Sequence, residues 1–110
     1  GAILDKENGI LTYQGEKIEL TKNEWRILQV LMEHKGKAVS RDTLMMRLWE
    51  SDSFIDDNTL TVNVARLRKK MEQIGLGGKI ITKKGIGYMP IPLYLIQYLI
   101  LQHHFFLNVL

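Results

Sequence analysis

Arg66, Arg68, Lys69 and Lys70 crowd one short segment, and Lys83 and Lys84 follow beside Gly85 and Gly87. The chemistry available to such side chains is anion recognition: arginine offers a planar fork of donors, lysine a point charge. Only Glu72 opposes the first group locally, so ion pairing along the segment is poorly supplied and the excess is expected to face an external anion. Reaction chemistry is not indicated. His34, His103 and His104 fall at a helix end and in the C-terminal tail, and no nucleophile, base and acid are spaced as a set. The chain has no cysteine, hence no disulfide, no thiolate and no Cys-based zinc site. Adjacent histidines point to different sides of a helix and lack a carboxylate partner, so no metal is expected. Gly85-Ile86-Gly87, with no third glycine and no following helix, is weak as a nucleotide loop. No enzyme and no cofactor are expected.

The cations need a scaffold, and the pattern around them supplies one. Leu60, Val64, Leu67, Met71 and Ile74 recur at helical spacing and mark one face for burial. Asp56 or Asp57 can cap the N-terminus of this helix and Gly75 can close its other end. The opposite side then carries Asn58, Val62, Ala65, Arg66 and Lys69, flanked by Thr61 and Arg68 on one edge and by Asn63 and Lys70 on the other. An ordinary solvated surface is the plain reading of such a face. Val62 argues against it, because a branched apolar side chain among charges suits contact with a thymine methyl. Beyond Gly77-Gly78, two β-prone runs around Lys84-Gly85-Ile86-Gly87 predict a tight hairpin with cations at its tip.

Upstream, Ile3-Leu4, Ile10 to Tyr13 and Ile18 to Leu20, separated by Asn8-Gly9 and Gln14-Gly15, predict three strands of a small antiparallel sheet. Thr21-Lys22-Asn23-Glu24 is a capping box opening a helix whose Trp25, Ile27, Leu28, Leu31 and Met32 face a core. Ser40 is expected to cap the next helix, with Leu44, Met45, Leu48 and Trp49 inward; Met32, Met45, Met46 and Met71 are expected as packing.

The run Leu60 to Lys70, with Ile81 to Tyr88, resembles the recognition helix and wing of OmpR/PhoB-type response regulators, the output half of bacterial two-component systems. Tyr13-Gln14-Gly15, Ile18 to Glu24, Ile27 to Leu31, Val39-Ser40-Arg41 and Leu48-Trp49 resemble the rest of that domain, so the similarity covers about residues 3 to 89. It implies an α+β winged helix-turn-helix fold: residues 1–20 an N-terminal antiparallel sheet, 21–75 three helices, 79–89 a C-terminal β-hairpin wing. It further implies sequence-specific binding of double-stranded promoter DNA, with Arg66, Val62 and Thr61 on bases. Arg41, Trp49, Asn63, Arg68, Lys69, Thr82 and Lys83 would hold phosphates, and Lys84 would stand at the minor groove. There the chain departs from the family's arginine, and Asn58 and Ala65 stand where basic residues are frequent. The acidic loop around Asp52, Phe54 and Ile55 matches the turn presented to RNA polymerase, with an exposed linker as the plain alternative. Dimerisation on tandem half-sites is implied by the resemblance alone.

The 110 residues carry a formal charge of +3, mild for a nucleic-acid binder, but acidic residues precede the long helix and basic ones dominate from Arg66 to Lys84. The cysteine count fits a cytoplasmic protein. The chain starts at Gly1 and holds no phosphoacceptor domain, so it is expected to be a fragment lacking its receiver half and one edge strand of the sheet. Residues 90–110, an atypical hydrophobic tail, lie outside the resemblance. A membrane anchor is disfavoured because Gln97, Gln102, His103, His104 and Asn108 dilute a tract of barely sufficient length. A cover for an exposed surface, a self-association segment and an appendage with no selected function are the other readings. A winged helix serving protein or membrane association through this tail is the alternative function.

Overall fold

The computed structural model describes residues 1–34, 36–91, 96–100 and 105–107, the last two stretches as backbone. Along the chain run β1 (Ala2–Asp5), β2 (Ile10–Tyr13), β3 (Glu16–Glu19), α1 (Lys22–Glu33), β4 (Val39–Ser40) and α2 (Arg41–Glu50). They are followed by α3 (Asp57–Gln73), β5 (Ile80–Lys83), β6 (Gly87–Pro90), β7 (Ile96–Ile100) and β8 (Phe105–Leu107).

The three expected N-terminal strands are present. β1 to β3 form an antiparallel meander with Leu4 opposite Leu11 and Leu11 opposite Ile18. Gln14 and Gly15 both take positive φ, 48° and 83°, the backbone of a two-residue hairpin whose twist matches its strands. The tail extends this sheet: β7 lies parallel to β1 with Ala2 opposite Ile96, and β8 pairs antiparallel with β7. The sheet is thus five-stranded and mixed, in the order β3-β2-β1-β7-β8, rather than purely antiparallel. The physical reason is the free edge of β1, whose unpaired backbone groups are a template for another extended apolar segment. No helix among the described residues is long and apolar enough to cross a membrane. His103 and His104, with the other tail residues at 92–95, 101–102 and 108–110, lie outside the described residues.

Helix boundaries follow side-chain chemistry. Thr21 Oγ1 accepts from Glu24 N at 3.2 Å while Glu24 Oε1 accepts from Thr21 N at 2.8 Å, so the capping box is complete. Ser40 caps α2 by accepting from Thr43 N, and Asp56, the first of the two aspartates, caps α3 by accepting from Thr59 N. Gly75, at φ 91°, follows the last turn of α3. The helices pack on the sheet through Leu4 and Leu11, Ile27 and Leu31 of α1, Leu44 and Leu48 of α2, and Leu60, Val64, Leu67 and Met71 of α3, all fully buried.

Two packing expectations are corrected. Trp49 and Met46 are each 60% exposed, not inward. α2 has only ten residues and meets the core along the Leu44–Leu48 line; at about 100° per residue Trp49 and Met46 fall beside or behind it. Trp49 instead meets Phe54 edge-on, ring centroids 6.1 Å apart.

A second sheet, in the order β4-β6-β5, frames the wing. The hairpin was expected but β4 was not. Val39 pairs with Tyr88 and Ser40 with Gly87, which fastens the wing to the residues opening α2. Gly87 is required there: a Cβ would stand 2.0 Å from Val39 O and 2.9 Å from Ser40 Cα, both backbone atoms.

Candidate nucleic-acid interface

α3 buries its Leu60/Val64/Leu67/Met71 stripe, so the helix is rotated to leave Asn58, Thr61, Val62, Ala65, Arg66 and Lys69 exposed. Val62 is 44% exposed among these polar neighbours. Arg66 and Lys69 make no hydrogen bond or ion pair among the described residues. At the wing, Lys83 and Lys84 are exposed, and Gly85, at φ 78°, lets the chain reverse while Ile86 N donates to Lys83 O at 2.9 Å. Ile86 is exposed at the tip. It was not picked out from sequence because a lone apolar residue between glycines carries no periodic signal.

The other cations are engaged inside the protein, which revises the expectation of an unopposed positive excess. Lys70 Nζ lies 2.6 Å from Glu24 Oε1 and 3.0 Å from Glu19 O, bridging α3 to the start of α1. Arg68 donates through Nε to Ile80 O at 3.0 Å and through Nη2 to Thr82 Oγ1 at 2.8 Å. These partners are remote in sequence, and local charge counting misses them.

Asn63, a flank residue by the helical wheel, is 7% exposed and donates its amide to Thr59 O at 2.8 Å. It packs within the scaffold and stands apart from the exposed set. Arg41 donates to Asp57 Oδ1 at 2.9 Å, and to Asp57 O, Thr61 Oγ1 and Tyr88 Oη at 2.7 Å each. The Asp57 hydrogen bond, more than the contacts with Tyr88, holds the guanidinium above its ordinary basicity. Thr61 thus has its hydroxyl occupied, donating in turn to Asp57 O at 3.3 Å. Asp56 titrates below the ordinary carboxylate range because the side chain and backbone of Thr59 hydrogen-bond to it.

The loop from α2 to α3 presents Asp52 and Phe54 to solvent, Phe54 at 70%, with Asp52 in the left-handed region at φ 62°. Ile55 is half-buried against the core, so the three loop residues do not act as one exposed set. Arg26 of α1 donates to Ser53 Oγ, and Ser53 N donates to Leu48 O at 2.8 Å, so the loop is tied at its middle. Met45, Met46, Trp49, Phe54 and Ile55 line a shallow apolar groove beside Glu50 and Asp56. Among the described residues no cluster of His, Asp and Glu could hold a metal.

A helix with a cationic, partly apolar outer face, standing beside a hairpin with lysines at its tip, defines a winged helix-turn-helix domain. Residues 15–90 match the family model described as "Transcriptional regulatory protein, C terminal", and the chain belongs to that family, as its resemblance to OmpR/PhoB-type regulators implied. The sensory transduction protein BceR of Halalkalibacterium halodurans is 53% identical over 89 residues, covering 81% of this chain and 38% of that relative. The chain thus spans well under half the length of this curated relative. The solved C-terminal domain of the nisin resistance regulator NsrR, a lantibiotic response regulator, has a TM-score of 0.76 at 43% identity, covering 82% of this chain and 91% of that one. The DNA-binding domain of Klebsiella pneumoniae RstA, solved in complex with the RstA box, has a TM-score of 0.64 at 28% identity, covering 79% and 87%.

Proposed function

We propose that this chain is the DNA-binding output domain of a two-component response regulator and controls transcription by binding promoter DNA, with residues 1–89 as the binding unit. The observation that carries the reading is the continuous exposed face of Val62, Ala65, Arg66 and Lys69 on α3 beside Lys83 and Lys84 on the wing, with Arg66 and Lys69 unpartnered among the described residues. α3 enters the major groove. There Arg66 pairs with a guanine edge and Val62 meets a thymine methyl, while Lys69, Lys83 and the indole N–H of Trp49 hold phosphates. Lys84 reaches the minor groove as a point charge and reads its shape less sharply than a guanidinium.

Further partners follow from the same reading. On that reading the binding unit works with a receiver domain, dimers form on tandem half-sites, and the protein acts in the cytoplasm. RNA polymerase meets the loop at Asp52 and Phe54, with Ile55 anchoring the loop to the core, a partner supported by the exposure of Phe54 beside carboxylates.

The test is selection of bound duplexes from a random pool, with and without residues 90–110, followed by titration in salt. With Lys69 and Lys83 on phosphates, and Arg66 and Lys84 adding their charge in the grooves, the slope of log K against log salt falls between about −2 and −4. Association driven by the apolar tail instead stays flat or strengthens with salt and disappears with the tail; that result rejects the reading.

A further inference from the structure

Resting on the DNA-binding reading, we propose that Arg41 is a positioning residue rather than a phosphate ligand: its guanidinium fastens α2, the first turn of α3 and the wing strand β6 into one docking unit. Four of its five N–H donors are already used, on Asp57 Oδ1, Asp57 O, Thr61 Oγ1 and Tyr88 Oη. One Nη1 hydrogen is left, enough for a single contact; gripping a phosphate with the fork would mean surrendering bonds already made, among them the charge-assisted one of 2.9 Å to Asp57.

Tyr88 is the second half of the device. It is buried, its hydroxyl accepts from Arg41, and both guanidinium carbons approach its ring, Arg41 at 5.7 Å and Arg68 at 5.3 Å from the centroid. Arg68 grips the neighbouring strand β5 through Ile80 O and Thr82 Oγ1. Both wing strands are therefore held to the helices by arginines, one from α2 and one from α3, with Tyr88 between them. The angle between α3 and the wing is set by fork geometry, which a lysine cannot reproduce although it carries the same charge. Reading base edges depends on that angle, whereas diffuse attraction to phosphates depends on charge.

The test uses the whole chain and the variants Arg41→Lys, Arg41→Gln and Tyr88→Phe, each titrated with the selected duplex and with a random duplex at several salt concentrations. Arg41→Lys and Tyr88→Phe are expected to weaken the selected duplex about tenfold, as for loss of a hydrogen bond to a charged group. Random DNA should change by less than about twofold and the salt slope should hold in all three variants. Loss of about 0.9 from the slope in Arg41→Gln, equal on both duplexes, with Arg41→Lys unaffected, identifies a phosphate ligand and overturns the proposal. A DNA-independent arm measures amide exchange. In Arg41→Lys, residues 80–90 and the first turn of α3 should lose protection together while Leu28 and Leu31 of α1 keep theirs; unchanged wing protection also overturns the proposal. If the unaltered chain binds no duplex, the output-domain reading fails, and the exchange arm still decides the clamp.

Discussion

The ion pair between Lys70 and Glu24 holds the binding helix against α1, and its two ends are not equivalent. Glu24 is 1% exposed while the Lys70 side chain is 29% exposed, at a separation of 2.6 Å. Among the described residues, Lys70→Met strips the buried carboxylate of its cationic partner and leaves it Thr21 N as donor, at 2.8 Å. Removing one member of a buried pair costs about 3–5 kcal/mol, and the partial exposure of Lys70 places this case near the lower figure, about 3 kcal/mol. Glu24→Gln keeps an acceptor for Thr21 N and leaves an ammonium that retains Glu19 O and can reach water, so the cost is about 1 kcal/mol. At about 4–8 °C per kcal/mol for a domain of this size, the difference of about 2 kcal/mol should separate the two variants in Tm by roughly 8–16 °C. Urea unfolding followed by far-ultraviolet circular dichroism, with the slope m compared between variants, measures both values. Equal destabilisation by Lys70→Met and Glu24→Gln would refute the reasoning, because it would mean that the carboxylate is not effectively buried.

Gly87→Ala puts a methyl into the backbone of Val39 and should separate β6 from β4, with loss of about 2–3 kcal/mol through broken ladder bonds and strain and a wing that exchanges amide hydrogens faster. Full retention of Tm and wing protection would show that the close approach relaxes freely. The lowered titration of the Asp56 carboxyl has a signed consequence: its capping contribution is complete above the unfolded value near 4 and is lost as pH falls through the folded value. Asp56→Asn caps without titrating, so the stability difference between the two proteins, followed by thermal unfolding from pH 6 to pH 2, should change only in the acid range; a constant difference would contradict the cap.

Much of this scaffold was legible in the residues because the signals are local. The Leu60-to-Ile74 stripe, the Thr21/Glu24 box and the Gln14-Gly15 turn each state their geometry within a few positions, and all three stand as read. What periodicity fixes is the direction in which a helix faces, and that was enough to expose Val62, Arg66 and Lys69. It does not say which acceptor a long cationic side chain finds across the fold. Lys70 meets Glu24, Arg68 meets Thr82 and Arg41 meets Tyr88 only after the helices and the wing have docked, so charges that looked available are partly consumed. The exposure of Trp49 escapes the sequence for a related reason: periodicity assigns an apolar residue on a short helix to the core unless the width of the contact line is known, and only its other expected role, at a phosphate, suits the exposed position. The pairing of β4 with β6 was invisible because two residues carry no alternation, although Gly87 marks where the backbones touch. The strands of the tail depend on a free edge contributed from the opposite end of the chain.

The central claim is that burying the Leu60/Val64/Leu67 edge turns Arg66 toward the bases of a duplex. It is tested most directly by measuring the affinity of Arg66→Ala for the selected duplex and for random DNA side by side. The account predicts a loss of about 1–3 kcal/mol on the selected duplex, roughly 5- to 150-fold, with blurred preference at one base pair and a much smaller loss on random DNA. Equal losses on the two duplexes, or none on either, would contradict it.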